Sequence, residues 1–371
     1  MENWEIETIQ KVKKLFFLLG VLLISGCVTD SPLNLSFTSL QPREIGDGLI
    51  ISNPSAENMD SLGLDRIYQE VFTDDNLWSL RSLLIFRNGN LVSEAYLKDE
   101  DDITNRHLIW SCTKQVMGIL AGIAIDHGLI DSLDSPISLY FTDELDQHAD
   151  KAGITIRDLL TMRSGIGFSN DGASGETDKL LRQIPESSVD FILSLPMEDL
   201  PGSNFHYKDG DPHLLSAILQ KRAGKPTDIW ADEVLFSTIG FRNYNWVRYK
   251  DGITFGGFGI ETTPRELGKI ALFVADSGRW DNQQLVPKEW ISQMTASGPD
   301  TGIIYDFGFY WWSDPVRDIH FMWGHGGQFA FVIPSKELVV VMTSIPNTQG
   351  NYEIPADDAL LVVEKIMNLA F

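Results

Sequence analysis

Ser111 and Lys114 stand three positions apart in "HLIWSCTKQVMGILAGIAIDHG" (107–128), at the head of an apolar run with helical spacing. Positions i and i+3 of a helix share a face, so a serine hydroxyl and a lysine amine can meet there. The chemistry offered is a nucleophile beside its base. A helix N-terminus, with its free N–H groups and positive potential, favours anionic character on the serine oxygen. The same potential and burial push a lysine below its ordinary range, toward the neutral form that a base needs. The competing reading is the first turn of a buried helix, because a chain of this length holds about one S-x-x-K match by chance.

Other chemistries find less support. The chain has no G-x-S-x-G elbow, H-E-x-x-H pair or Walker loop, and "FGGFGIETT" (255–263) lacks the glycine spacing of a dinucleotide site. "HYKDGDPH" (206–213) mixes histidines with aspartates, but its loop position favours a solvated turn and helix cap; no metal and no other cofactor is expected. Besides Cys27 the only cysteine is Cys112, so the mature domain has neither an internal disulfide pair nor a cysteine zinc site. Cys112 reads as core packing, since a helical neighbour of the nucleophile points elsewhere. A net charge of −23 argues against nucleic acid, which needs a basic face.

These residues must be positioned by elements that the pattern suggests. A helix is expected over about 58–73, and "SLLIFRNGNLVSEAYL" reads as a hairpin turning at Asn88-Gly89. The helix that carries Ser111 runs over 111–128 and stops at Gly128. From about 130 to 240 the chain reads as helices and loops, including "TIRDLLTMRSGIG", where Arg163 packs or caps a loop, and "DPHLLSAILQKRAG", stopped by Gly224. Strand character returns in "DFGFYWWSD", "IHFMWGHGGQ", "FAFVIPS" and "LVVVMTSI". Trp311 and Trp312 alternate faces, so one is core and the other can line a cleft. "PADDALLVVEKIMNLAF" closes the chain as an amphipathic helix with a proline start. An α+β domain follows, with one sheet completed by both chain ends, helices on its faces and a mainly helical insertion.

Three ordered elements, "SCTK" (111–114), "YKD" (207–209) and "HGG" (325–327), resemble those of serine β-lactamases and penicillin-binding proteins. The likeness is to the class C-type branch with its esterases and 6-aminohexanoate-dimer hydrolases, and it covers about residues 65–370. "LLTMRSGIGF", "FGGFGIETTPRELGKIALFVADSGRWDNQQLVPKEWI" and "FGFYWW" support it. The resemblance implies a β-lactamase/transpeptidase-like fold with an antiparallel sheet, and roles for individual residues. Ser111 forms an acyl-enzyme, Lys114 takes or relays its proton, and Tyr207 bridges nucleophile and leaving group. The backbone N–H groups of Ser111 and Gln328 form the oxyanion hole. Asp209, His325, Gly326 and Gly327 fall at substrate-binding positions, with two departures. Asp209 stands where the family often has asparagine, and an ionised carboxylate cannot donate a hydrogen bond. His325-Gly326-Gly327 replaces Lys-Thr-Gly, without the charge and hydroxyl that help hold a β-lactam carboxylate. His325 keeps two readings, a substrate contact or a residue packed beside Trp323.

The expected activity is therefore ester or amide hydrolysis of a small molecule. A β-lactamase or D-alanyl-D-alanine peptidase is the alternative, and a non-turnover penicillin-recognising sensor or scaffold is the reading from another class. "KVKKLFFLLGVLLISGC" places a basic cluster, a short apolar run and small residues before Cys27, resembling a lipoprotein signal. Residues 1–27 are read as that signal with Cys27 lipidated, 28–57 as a tether and 58–371 as the hydrolase domain. "MENWEIETIQ" does not fit such a signal, and a start at Val12 would remove it. The expected location is the cell envelope, on the periplasmic or extracellular face.

Overall fold

The computed structural model describes residues 40–170, 177–183, 186–346 and 353–371, and its compact unit is Leu40–Phe371. The readings placed on residues 1–27, Cys27 included, and on residues 28–39 lie outside the described residues.

Seven strands make the main sheet: β1 (Leu80–Arg87), β2 (Asn90–Tyr96), β3 (Asp306–Phe307), β4 (Trp312–Asp314), β5 (Ile319–Gly324), β6 (Gln328–Ile333) and β7 (Leu338–Ser344). Their order is β2-β1-β7-β6-β5-β4-β3, every pairing is antiparallel, and the chain's N-terminal hairpin meets its C-terminal strands at β1–β7. Asn88 and Gly89 turn the first hairpin with φ of 52° and 81°, the left-handed pair that a tight two-residue turn requires. "DFGFYWWSD" is not one strand. Gly308 leaves the ladder because it lies against Met294, whose carbonyl a Cβ there would meet at 2.2 Å, and Tyr310 follows at φ 64°.

Helices cover both faces. Phe86 of β1 points at Gly268 of α4 (Pro264–Ala275), where an added Cβ would meet the ring at 2.5 Å. Arg87, the next residue, reaches the Phe371 carbonyl just after α5 (Ala356–Met367). Successive strand residues face opposite sides, so α4 and α5 lie on opposite faces of the sheet. The N-terminal α1 (Ser61–Thr73) packs with α5. The insertion brings in α3 (Gly210–Ala223), ended by Gly224 in the left-handed region, and it packs on α2 (Cys112–Asp126). A small sheet orders His107–Leu108, Ile260–Thr262 and Tyr244–Trp246, tying the approach to Ser111 to the "FGGFG" segment.

Residues 40–57 differ from the tether expected of them. The Glu94 N–H donates to Leu40 O (3.1 Å), Ile51 bridges Leu91, and the Arg43 N–H donates to Glu94 (2.8 Å). Backbone groups of Leu40, Ile50 and Ser52 bond to β2 and the Glu57 carboxylate accepts from Asn88 and Asn90 at its turn, so residues 40–57 belong to the compact unit. Its anchor is buried. Arg265 donates to Glu94 through Nε (2.9 Å) and Nη2 (2.7 Å), to Asp47 (3.0 Å) and to the Arg43 carbonyl. Removing one partner of a buried pair leaves an uncompensated charge. Glu94→Ala is expected to cost about 3–5 kcal/mol in denaturant unfolding followed by tryptophan fluorescence. A loss below about 1 kcal/mol, the range of a surface pair, would show that this network does not hold the segment.

Candidate active site

The chain enters α2 through a tight corner. Trp110 has φ 50°, a left-handed conformation that is costly for a bulky residue. Bonds from Cys112 N to Ile109 O (3.1 Å), Thr113 N to Trp110 O (3.0 Å) and Lys114 N to Ser111 O (2.9 Å) wind the first turn. Ser111 is the N-cap residue, yet its side chain makes no capping bond. It is turned instead toward Lys114.

Lys114 is wholly buried. Its Nζ donates to Ser111 Oγ (2.9 Å) and to Gly257 O (2.7 Å), and lies 2.5 Å from Asp209 Oδ1. Two hydrogen-bond acceptors and a carboxylate in ion-pair contact around one nitrogen suit an ammonium. Burial pushes Lys114 down, but the Asp209 carboxylate and Tyr207 push it up and prevail, so the ammonium is stabilised. This corrects the expectation of a depressed lysine. That expectation counted burial and the helix terminus, and assigned Asp209 to the substrate.

Tyr207 is half-buried, with its ring centroid 4.8 Å from Lys114 Nζ and its hydroxyl in interaction range of Ser111 and Lys114. Burial raises its phenol above the ordinary range despite the neighbouring ammonium. Phe307 (6.2 Å between centroids) and Trp312 (5.8 Å) hold the ring from behind. Trp311 is fully buried, and Trp312 is the member of the pair that borders the site. Arg163 caps the loop carbonyl of Ser203 (2.8 Å).

Sequence reasoning missed what aims the Tyr207–Asp209 loop. Lys208, between the two, is buried and donates to Ile166 O (2.9 Å) and Ser164 Oγ (3.3 Å). Ser164 in turn donates to buried Asp211 (2.6 Å). This socket pins the loop on both sides of Asp209. Gly257 is the other missed residue. A Cβ there would meet the Asp209 side chain at 2.7–2.9 Å, so only glycine lets its carbonyl reach Lys114. The glycine-rich "FGGFG" was the available signal, one of close approach rather than phosphate binding.

Gln328 opens β6 next to α2: its carbonyl accepts from Cys112 Sγ (3.4 Å). Its side chain is tied to Ser344 through both amide atoms (2.9 and 3.3 Å). Cys112 is core, and burial pushes its thiol up. Gly326 and Gly327, at φ 80° and 92°, make the turn between β5 and β6. His325 projects from that turn and meets Trp110 edge-on at 5.2 Å, while Trp323 packs with Trp312, Phe321 and Phe329. The "HYKDGDPH" side chains diverge, His206 to Asp199 (2.8 Å) and His213 to Ser188 (2.7 Å). No metal-ligating cluster occurs among the described residues.

The family model for β-lactamases matches residues 82–364. The chain belongs to the β-lactamase family. Its fold is the β-lactamase/transpeptidase-like one, shared with a Bacteroides dorei chain assigned as a β-lactamase (TM-score 0.68, 18% identity, covering 84% of this chain and 99% of that one). The hydrolase EstCE1, described as having promiscuous acyltransferase activity, superposes with a TM-score of 0.65 at 15% identity over 84% and 100% of the two chains. The 6-aminohexanoate-dimer hydrolase of Paenarthrobacter ureafaciens is 23% identical over 254 residues, 63% of this chain. The match spans 60% of that relative's length.

In this β-lactamase-family site, the Asp209 carboxylate beside Lys114 favours its ammonium form. Asp209→Asn removes the negative charge and lowers Lys114, so any rate that needs the free amine should begin to rise at lower pH. The measurement is the pH dependence of Ser111 labelling by a fluorophosphonate in the two proteins. An acidic limb that stays in place, or moves to higher pH, would remove Asp209 from control of Lys114.

Proposed function

We propose that the protein is a serine hydrolase that cleaves ester or amide bonds through an acyl-enzyme on Ser111. The observation that carries this is Lys114 Nζ, seated between Ser111 Oγ and Asp209 with Tyr207 over it. Reaction starts from the form in which Lys114 has given up its extra proton. The amine takes the proton of Ser111 as Oγ attacks the carbonyl carbon, and the backbone N–H groups of Ser111 and Gln328 receive the developing oxyanion. Tyr207 conducts that proton to the departing oxygen or nitrogen, the bond to the leaving group breaks, and the acyl-enzyme remains. Water then repeats the sequence and restores Ser111. Since Asp209 favours the ammonium, turnover should increase above neutral pH.

Ser111→Ala, Lys114→Arg and Tyr207→Phe should each lower kcat on an activated ester by about 10²–10⁴-fold or more. Lys114→Arg keeps a charge but cannot give up its proton, so it separates a base from a charge. Near-wild-type turnover by folded Lys114→Arg would remove lysine as the base. Short-chain esters should also be hydrolysed faster than benzylpenicillin, because His325-Gly326-Gly327 supplies no lysine charge; a higher kcat/KM for the β-lactam would reverse that preference. The second reading is a sensor that acylates and stalls because no water is activated for deacylation. A stoichiometric burst of p-nitrophenol without later turnover would select it.

The reading includes export with a lipid on Cys27, supported by the "LLISGC" pattern alone. Detergent partitioning of the full chain, lost in Cys27→Ser, is the expected result. An unmodified N-terminus upstream of residue 27 in protein from native cells would exclude it.

A further inference from the structure

Beside the turn that carries Gly326 and Gly327 stands a carboxylate that the mechanism above does not use. Glu353 Oε1 accepts a hydrogen bond from the Gly326 N–H (3.0 Å), and Oε2 lies 3.9 Å from His325 Nδ1. The contact with His325 is too long for a hydrogen bond, so the backbone N–H supplies most of the hold. The Glu353 side chain is 41% exposed, and among the described residues no lysine or arginine pairs with it. What backs the turn is apolar or neutral: a Cβ on Gly326 would meet Pro346, and one on Gly327 would meet Ile354 and Ser344 Oγ. The turn is linked to the entrance of α2. Gln328, whose carbonyl accepts from Cys112 Sγ, follows Gly326 by two residues, and the His325 ring meets Trp110, the residue before Ser111.

Among the described residues, neither Lys114 nor Arg182 pairs with it. Lys114 is matched by Asp209. Arg182 sits over Phe258 at 4.2 Å, and Phe258 meets Trp110 at 6.4 Å, so the rings of Phe258, Trp110 and His325 lie between Arg182 and Glu353. Among the described residues, Glu353 thus places a carboxylate at the β5–β6 turn whose one ion-pair candidate is His325, next to a row of aromatic rings. We propose that Glu353 is a specificity-determining residue that selects neutral and cationic substrates over anionic ones at this side of the cleft. The inference rests on the reading of Ser111 as the nucleophile, and it names the substrate class: esters or amides carrying an ammonium-type group a few bonds from the scissile carbonyl.

The test uses the full chain and p-nitrophenyl esters of matched length: hexanoate, 6-trimethylammoniohexanoate and the monoester of adipate. Wild-type kcat/KM should favour the cationic over the anionic ester by about 3–10-fold at low salt, the scale of one unit charge acting a few ångströms away through water-rich surroundings. Raising the salt to about 0.5 M should shrink that ratio, because exposed charges are screened over a few ångströms. Glu353→Gln keeps an acceptor for the Gly326 N–H and should bring the ratio to within about two-fold, and Glu353→Lys should invert it. Equal rates on the cationic and anionic esters in the wild type, or a ratio that survives both Glu353→Gln and high salt, would overturn the assignment. The salt series needs only the wild type, so a variant that fails to fold does not remove the test. If none of the esters is turned over in a Ser111-dependent way, the hydrolase reading falls, and this inference with it.

Discussion

The contact between Lys114 and Asp209 is the constraint around which this site is arranged. A buried ammonium is tolerated only when its N–H groups are satisfied and its charge is matched. Here Ser111 and Gly257 supply acceptors and Asp209 the opposite charge, and each comes from a different part of the chain: the α2 N-terminus, the glycine-rich segment before α4, and the loop before α3. Holding one nitrogen thus fixes three segments relative to each other. The Ser111 hydroxyl acquires its orientation from the same set of contacts that neutralises the lysine. In the proposed mechanism the resting lysine is then an ammonium held by its own partner, and pH would set how much of it is free amine.

The scaffold meets that constraint through close backbone approach. Gly257 admits Asp209, Gly256 lies against the Pro212 carbonyl, and Gly324 lies against Ile109 O and Cys112 Sγ. At each place a single methyl group would push apart segments that must stay together. The Lys208–Ser164–Asp211 socket does the same with hydrogen bonds, below the level at which substrate could reach. Side chains that never touch the reaction therefore decide whether Tyr207 and Asp209 face Ser111.

Much of this architecture could be read from residue patterns. The Asn88-Gly89 hairpin, the helix behind Ser111, the Gly224 stop and the late strands follow from local turn chemistry and periodicity, which act within a few residues. The relation among "SCTK", "YKD" and "HGG" was legible as motif order, and the structure brings the first two together around Lys114. What could not be read was non-local. Asp209 sits 95 positions from Lys114, and no spacing rule tells whether a carboxylate will meet a substrate or a neighbouring amine. The tether reading of residues 40–57 erred in the same way. Serines, asparagines and prolines suit a solvated linker and an edge-bonded segment equally well, and only the exposed hydrogen-bonding groups of β2 distinguish them.

That segment has one more consequence. The last strand of an open sheet displays unpaired N–H and C=O groups, and these can recruit a strand from another molecule. At β2 the chain covers this row with its own residues, bridging Ile51 to Leu91 and Leu40 to Glu94, while the opposite edge ends in the two-residue strand Asp306–Phe307. Both flanks of the sheet are thereby blunted, one by a cover and one by brevity. A chain cut at residue 58 would keep every residue assigned to chemistry and still present a bare, half-apolar ribbon to its neighbours. In such a molecule, aggregation rather than lost catalysis would be the first defect to appear.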